Sequence, residues 1–101
     1  MTSKPRLHAV LFTKEDCRPC KETKAFIYDL LENNIHLYET LSFLKKENHS
    51  ALVEAYDLNL YPTLIITDGA DAPAVETIVG GKNIRACIES KLIEIYRENQ
   101  A

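Results

Sequence analysis

Two of the chain's three cysteines stand together as Cys17-Arg18-Pro19-Cys20. At this spacing both sulfurs fit at the start of one helix. The thiolate is the attacking species in disulfide exchange, and it is favoured where the free N–H groups and the dipole of a helix N-terminus face the sulfur. Cys17, just ahead of the helix, is placed to be the nucleophile. Cys20, within the first turn, is placed to attack the mixed disulfide and release the product. Pro19 fixes the backbone between them in a turn where a missing N–H costs nothing. Lys14, Arg18 and Lys21 favour a thiolate at Cys17, while Glu15 and Asp16 oppose it. The pair therefore reads as a redox-active disulfide that needs no bound cofactor.

Two plainer readings compete. A structural zinc site usually needs four ligands, and the remaining candidates, Cys87, His8, His36 and His49, stand at no matching spacing. Two ordinary buried cysteines are common in cores, but a polar turn between strand and helix is not typical core placement. A metal or iron–sulfur carrier and a non-enzymatic binding module are the other functional classes considered. Cys87, on the edge of the last helix's apolar stripe, reads as a buried structural thiol. The three histidines read as structural or surface residues.

The elements that must position the pair follow from the pattern of apolar residues. Residues 7–12, Leu-His-Ala-Val-Leu-Phe, form a short apolar run that predicts a buried strand. Residues 19–33 carry Thr23, Phe26, Ile27, Leu30 and Leu31 at helical spacing, and Asn33-Asn34 ends that helix. Residues 35–41 predict a second strand. Residues 43–57 predict a second helix capped by Ser42, with Leu44, Leu52, Val53 and Tyr56 inward. Residues 63–67, Thr-Leu-Ile-Ile-Thr, are the strongest strand signal, and Asp68-Gly69 a turn. Residues 75–79 predict the last strand, broken by Gly80-Gly81. Residues 83–98 predict a closing helix with Ile84, Ile88, Leu92 and Ile95 buried. The order β-α-β-α-β-β-α predicts an α/β fold: a four-stranded mixed sheet with helices on both faces, its last two strands antiparallel.

The 101 residues, 46% hydrophobic and 27% charged, suit one globular domain over 1–101 that needs no disulfide scaffold. The net charge of −3 argues against a nucleic-acid binder. Residues 1–24 nonetheless hold six bases against three acids, a local basic excess around the cysteine pair. No run approaches the ~20 apolar residues of a membrane span. The N-terminal apolar run is too short for a secretory signal, so the expectation is a cytoplasmic monomer without a membrane partner.

These residues resemble a known superfamily. Leu11-Phe12-Thr13-Lys14-Glu15-Asp16-Cys17-Arg18-Pro19-Cys20 resembles the active-site segment of glutaredoxins. Ala55-Tyr56-Asp57-Leu58 followed by Tyr61-Pro62-Thr63-Leu64 is similar to thioredoxin, as are Asp68-Gly69 and Val79-Gly80. The resemblance spans residues 7–98, without thioredoxin's additional N-terminal strand and helix. It implies the thioredoxin fold and a dithiol–disulfide oxidoreductase acting on protein disulfides. It implies a cis Pro62 facing the cysteines, with the backbone at Tyr61 pairing with an extended substrate and Thr63 beside it. The Tyr61 ring has two readings, packing in the substrate groove beside Pro62 or filling the core, of which the groove is favoured. Gly80-Gly81 matches the glycine pair near the glutaredoxin site, serving strand termination and substrate access together.

Departures from both patterns bear on partners. Lys14 matches the glutathione-binding lysine of glutaredoxins, but Lys82-Asn83 replace their acidic residues, and Leu60-Tyr61 their Thr-Val. Asp16 and Leu11 replace thioredoxin's tryptophan and buried aspartate. The combination resembles the short thioredoxins that serve ribonucleotide reductase. It favours thioredoxin reductase over glutathione as the electron source, with a glutathione-dependent glutaredoxin as the alternative.

Overall fold

A computed structural model describes residues 6–69 and 73–100, so the expected domain over 1–101 extends past the described residues at both ends. The first strand, β1 (His8–Thr13), runs into a short loop with a turn at Glu15-Asp16 and then α1 (Arg18–Glu32). Asn33 and Asn34 end α1 as expected: their side-chain amides donate to the Asp29 and Leu30 carbonyls at 3.0 and 2.9 Å. These are carbonyls that a helix C-terminus leaves without partners.

The middle of the chain departs from the expected pattern. Residues 35–41 were expected as a strand, but Ile35–Thr40 is a 3-10 helix. Its buried residues, Leu37 and Thr40, are three apart, the repeat of that helix, and Ile35 is 74% exposed. The Thr40 hydroxyl donates to the Leu37 carbonyl at 2.6 Å, which tightens the turn. The second strand, β2, is Leu41–Lys45. It takes the first residues of the expected helix 43–57, and Ser42 lies in the strand instead of capping a helix. A short 3-10 turn (Lys46–Asn48) and α2 (Ser50–Ala55) follow. Leu44, Leu52, Val53 and Tyr56 do share one apolar cluster, but two elements supply them. A short apolar run cannot by itself distinguish the two periods, and pairing with β1 decides for strand.

The last elements are β3 (Thr63–Thr67), β4 (Ala74–Val79) and α3 (Gly81–Gln100). The expected turn at Asp68-Gly69 leads into residues 70–72, which lie outside the described residues. The sheet order is β2-β1-β3-β4, with β1 and β2 parallel and β3 antiparallel to both β1 and β4. This is the expected four-stranded mixed sheet.

Alternation along β1 sends Ala9 and Leu11 to one face and Val10 and Phe12 to the other. The first face packs on Ile27 and Leu31 of α1 and on Ile84, Ile88, Leu92 and Ile95 of α3. The second packs Phe12 and Ile65 against Leu58 and the side chains of α2. Phe26, placed in the α1 stripe by its spacing, is instead 45% exposed.

On the α2 side an apolar cavity of about 440 Å³ opens between His8, Val10, Phe12, Leu44 and Tyr56, and it includes neither Cys17 nor Cys20. His8 Nε2 lies 2.8 Å from the Ser42 hydroxyl. Burial pulls the His8 pKa below its ordinary 6.5, because the half-buried ring is poorly solvated when charged. An unfolded chain therefore takes up the proton more readily than the folded one. Folding stability contributed by neutral His8 is complete above about pH 6.5 and declines as pH falls toward the lower folded value. His8→Gln, which retains a hydrogen-bonding group without the titration, flattens that decline. Urea unfolding midpoints across this pH range measure it, and identical slopes in the two proteins contradict the assignment to His8.

Candidate active site

The sheet topology gathers five chain ends at one edge. β1 ends at Thr13, β3 begins at Thr63 and β4 ends at Val79, and Phe12 and Val79 both pair with Thr63. The starts of α1 and α3 follow directly from β1 and β4. The Gly80 N–H donates to the Pro62 carbonyl at 2.9 Å, so the segment before β3 is joined to the segment after β4. The Thr63 hydroxyl donates to the Leu60 carbonyl at 2.6 Å and closes the turn around Tyr61-Pro62. The Tyr61-Pro62 peptide is cis.

At the centre of this edge Cys17 and Cys20 form a disulfide, with Cα atoms 5.2 Å apart. Cys17 is the N-cap residue of α1, in an extended conformation, and its sulfur accepts the Cys20 N–H at 3.2 Å. Its carbonyl accepts the Lys21 N–H at 3.1 Å. An N-cap normally presents a side-chain oxygen to the first-turn donors; here a sulfur does so. In the reduced protein the same donor and the α1 dipole favour negative charge on Cys17, while burial opposes it. Both cysteines are buried, at 5% and 2% exposure, and Arg18 and Pro19 between them are exposed. The Cys17 sulfur also lies 4.0 Å from the Tyr61 carbonyl oxygen.

Of the residues singled out by sequence, Tyr61 borders the Cys17 sulfur through its carbonyl, Pro62 is joined to Gly80, and a Cβ on Gly81 would lie 3.5 Å from the Pro19 carbonyl. Lys14, Arg18 and Lys21 are exposed on the adjoining loop and first turn. Arg18 pairs with Glu22 one helical turn away at 3.2 Å, an exposed contact worth only a few tenths of a kcal/mol. The Tyr61 side chain is partly buried. Its ring packs with the Phe12, Leu58 and Ile65 cluster, and its buried hydroxyl has no hydrogen-bond partner among the described residues. Its backbone carbonyl borders the Cys17 sulfur. Burial, followed by the nearby charge of Glu47, pushes the Tyr61 phenol pKa up.

No family model matches the sequence, and comparison with curated proteins gives no match. Solved structures do match. A thioredoxin from Malassezia sympodialis superposes with a TM-score of 0.71 at 14% identity, over 94% of this chain and 79% of its own. A thioredoxin from Trypanosoma brucei brucei gives 0.67 at 23% identity, over 94% and 79%. One from Schistosoma mansoni gives 0.67 at 23%, over 91% and 81%. The chain has the thioredoxin fold.

Within this thioredoxin fold, Leu11 is fully buried in the cluster beneath α1 and α3. The position that matches thioredoxin's aspartate is therefore apolar here. Gly80 has φ +95°, a conformation that L side chains rarely adopt. Gly81 has a different reason: a Cβ there would meet Thr23 Oγ1 at 2.5 Å and Arg85 Nη1 at 2.9 Å. Its missing side chain lets α3 start close against α1, where Arg85 Nη1 donates to the buried Thr23 hydroxyl at 3.1 Å. Sequence reasoning missed Thr23 and Arg85 as neighbours because 62 residues separate them.

Cys87 was expected to be buried. It is half-buried, its thiol donating to the Asn83 carbonyl at 3.3 Å, and partial burial raises its pKa. His36 sits edge-on to Tyr96 on the surface, and His49 precedes α2. Among the described residues no group of three or more His, Cys, Asp and Glu side chains is placed to hold a metal ion. No helix among them is long and apolar enough to cross a membrane.

Proposed function

We propose that this chain is a dithiol–disulfide oxidoreductase that reduces disulfides in other proteins. The observation that carries the reading is the Cys17 sulfur at the N-cap of α1, accepting the Cys20 N–H while bonded to the Cys20 sulfur. In the reduced protein the Cys17 thiolate attacks one sulfur of a substrate disulfide, and the other sulfur leaves as a thiolate that takes up a proton. Cys20 loses its proton and attacks Cys17 in the mixed disulfide. The second substrate thiol departs, and two electrons have passed to the substrate. The oxidised Cys17–Cys20 pair then needs an external two-electron donor. Lys14, Arg18 and Pro19 support the site. The backbone at Tyr61, Pro62 and Thr63 receives an extended substrate segment, with Gly80 and Gly81 leaving it room.

The electron source is thioredoxin reductase, and ribonucleotide reductase is among the disulfide proteins served. Support comes from the departures at Leu60-Tyr61 and Lys82-Asn83 from the glutaredoxin pattern. The cell compartment is the cytoplasm and the protein acts as a monomer. The test is to supply the oxidised protein with thioredoxin reductase and NADPH, or with glutathione, and to follow insulin reduction. Faster turnover with reductase is the expected result. Faster turnover with glutathione makes the protein a glutathione-dependent glutaredoxin instead. Turnover with neither donor, nor with dithiothreitol, leaves a thioredoxin-fold binding module.

A further inference from the structure

We propose that Glu47 is a positioning residue for Cys17: together with Lys46 it clamps the two backbone segments that flank the Cys17 sulfur. One segment is the loop between Thr13 and Cys17. It leaves the sheet at the last β1–β2 pair, Thr13 with Lys45, and contains Asp16 at φ +52°. A left-handed conformation at a residue other than glycine persists when surrounding contacts hold it. Glu15 makes those contacts with the turn that follows β2. Its N–H donates to Glu47 Oε2 at 3.1 Å, and its own carboxylate takes Lys45 Nζ at 3.1 Å. The Glu15 N–H lowers the Glu47 carboxyl below its usual range, which keeps the acceptor ionised and the bond charge-assisted.

The other segment is Tyr61-Pro62, whose Tyr61 carbonyl lies 4.0 Å from the Cys17 sulfur. Lys46 Nζ sits 5.4 Å from the centre of the Tyr61 ring, a cation–π distance. Glu47 is near enough for its charge to act on the Tyr61 phenol. Lys46 and Glu47, consecutive residues of one 3-10 turn, thus contact the Tyr61 segment and the Cys17 loop respectively. On this proposal that turn sets the spacing between the Cys17 sulfur and the Tyr61 backbone.

Two effects of Glu47 on Cys17 have opposite signs. Its negative charge disfavours a thiolate. Its hydrogen bond holds Cys17 at the helix N-cap and so favours one. Glu47→Gln removes the charge and keeps an acceptor, whereas Glu47→Ala removes both. Both substitutions are at an exposed residue, and urea unfolding verifies that the variants fold. The readout is iodoacetamide alkylation of the reduced proteins at neutral pH, with the modified cysteine identified by mass spectrometry. Positioning predicts that Cys17 is alkylated at least about threefold more slowly in Glu47→Ala, while Glu47→Gln stays within about twofold of the parent or reacts faster. A Glu47→Ala rate within about twofold of the parent, or equal slowing in both variants, overturns the proposal. The proposal rests on Cys17 being the attacking thiol, and the same experiment separates the two failures. If Cys20 reacts first in the parent protein, the functional reading fails; if Cys17 reacts first but ignores Glu47→Ala, only the positioning role fails.

Discussion

Cys17→Ser brings protein-disulfide reduction down to background, a loss of roughly a thousandfold or more. A serine hydroxyl is un-ionised at neutral pH and cannot enter a disulfide, so neither half of the exchange proceeds. Cys20→Ser gives a different outcome. The N–H that Cys17 accepts belongs to the backbone of residue 20 and survives the substitution. Cys17 therefore keeps its N-cap environment and still attacks substrate. The mixed disulfide then has no internal thiol to resolve it and accumulates. The measurement is insulin reduction for turnover, with non-reducing electrophoresis and peptide mass mapping for the adduct. An adduct on Cys17 in Cys20→Ser, together with an inactive but folded Cys17→Ser, is expected. Retained turnover in Cys17→Ser, or an adduct carried by Cys87, rejects the assignment of roles. Cys87 is a fair control because it donates to Asn83 within α3 and its raised pKa makes it the poorer thiolate.

Phe12→Ala costs about 3–5 kcal/mol of folding stability. Phe12 is fully buried and sits one residue before the end of β1, where the strand gives way to the cysteine loop. Its ring meets Tyr56 edge-on with centroids 6.2 Å apart, and with Leu58 and Ile65 it forms the apolar cluster under α2. Among the described residues Phe12 is one of three buried members of that cluster, so its ring carries much of the buried apolar surface there. The loss is large against a usual total stability of about 5–15 kcal/mol. Equilibrium urea unfolding measures it. A loss below about 1 kcal/mol means that the α2 side relaxes around the missing ring.

Much of the fold was legible in the sequence wherever a signal was local. The run at 63–67 is β3 residue for residue, and the paired asparagines stop α1 by reaching back four residues to its carbonyls. The region from 35 to 57 was misread because its apolar residues serve two faces and two elements. Leu44 reaches the α2 cluster from a strand and Leu52 from a helix, yet their spacing imitates one helical stripe. Only the parallel pairing of Leu41–Lys45 with β1 resolves that ambiguity, and that pairing depends on residues 32 positions away.

The same division runs through the site. Cys17-Arg18-Pro19-Cys20 determined its own chemistry because a cap, a first-turn proline and a second thiol three residues on act within one helical turn. The sequence by itself thus supplied the disulfide, the helix that starts at it and the succession of strands and helices around it. Tertiary structure decided that the Tyr61 ring packs, partly buried, against the α2-side cluster while its carbonyl borders the Cys17 sulfur, since side-chain direction at a turn depends on what packs behind it. It decided that Gly81 is small for the sake of α1, because only the approach of two helices distant in sequence brings Thr23 and Arg85 to that point. It also brought Glu47 to the Glu15 N–H, a contact across 32 residues that no local spacing encodes.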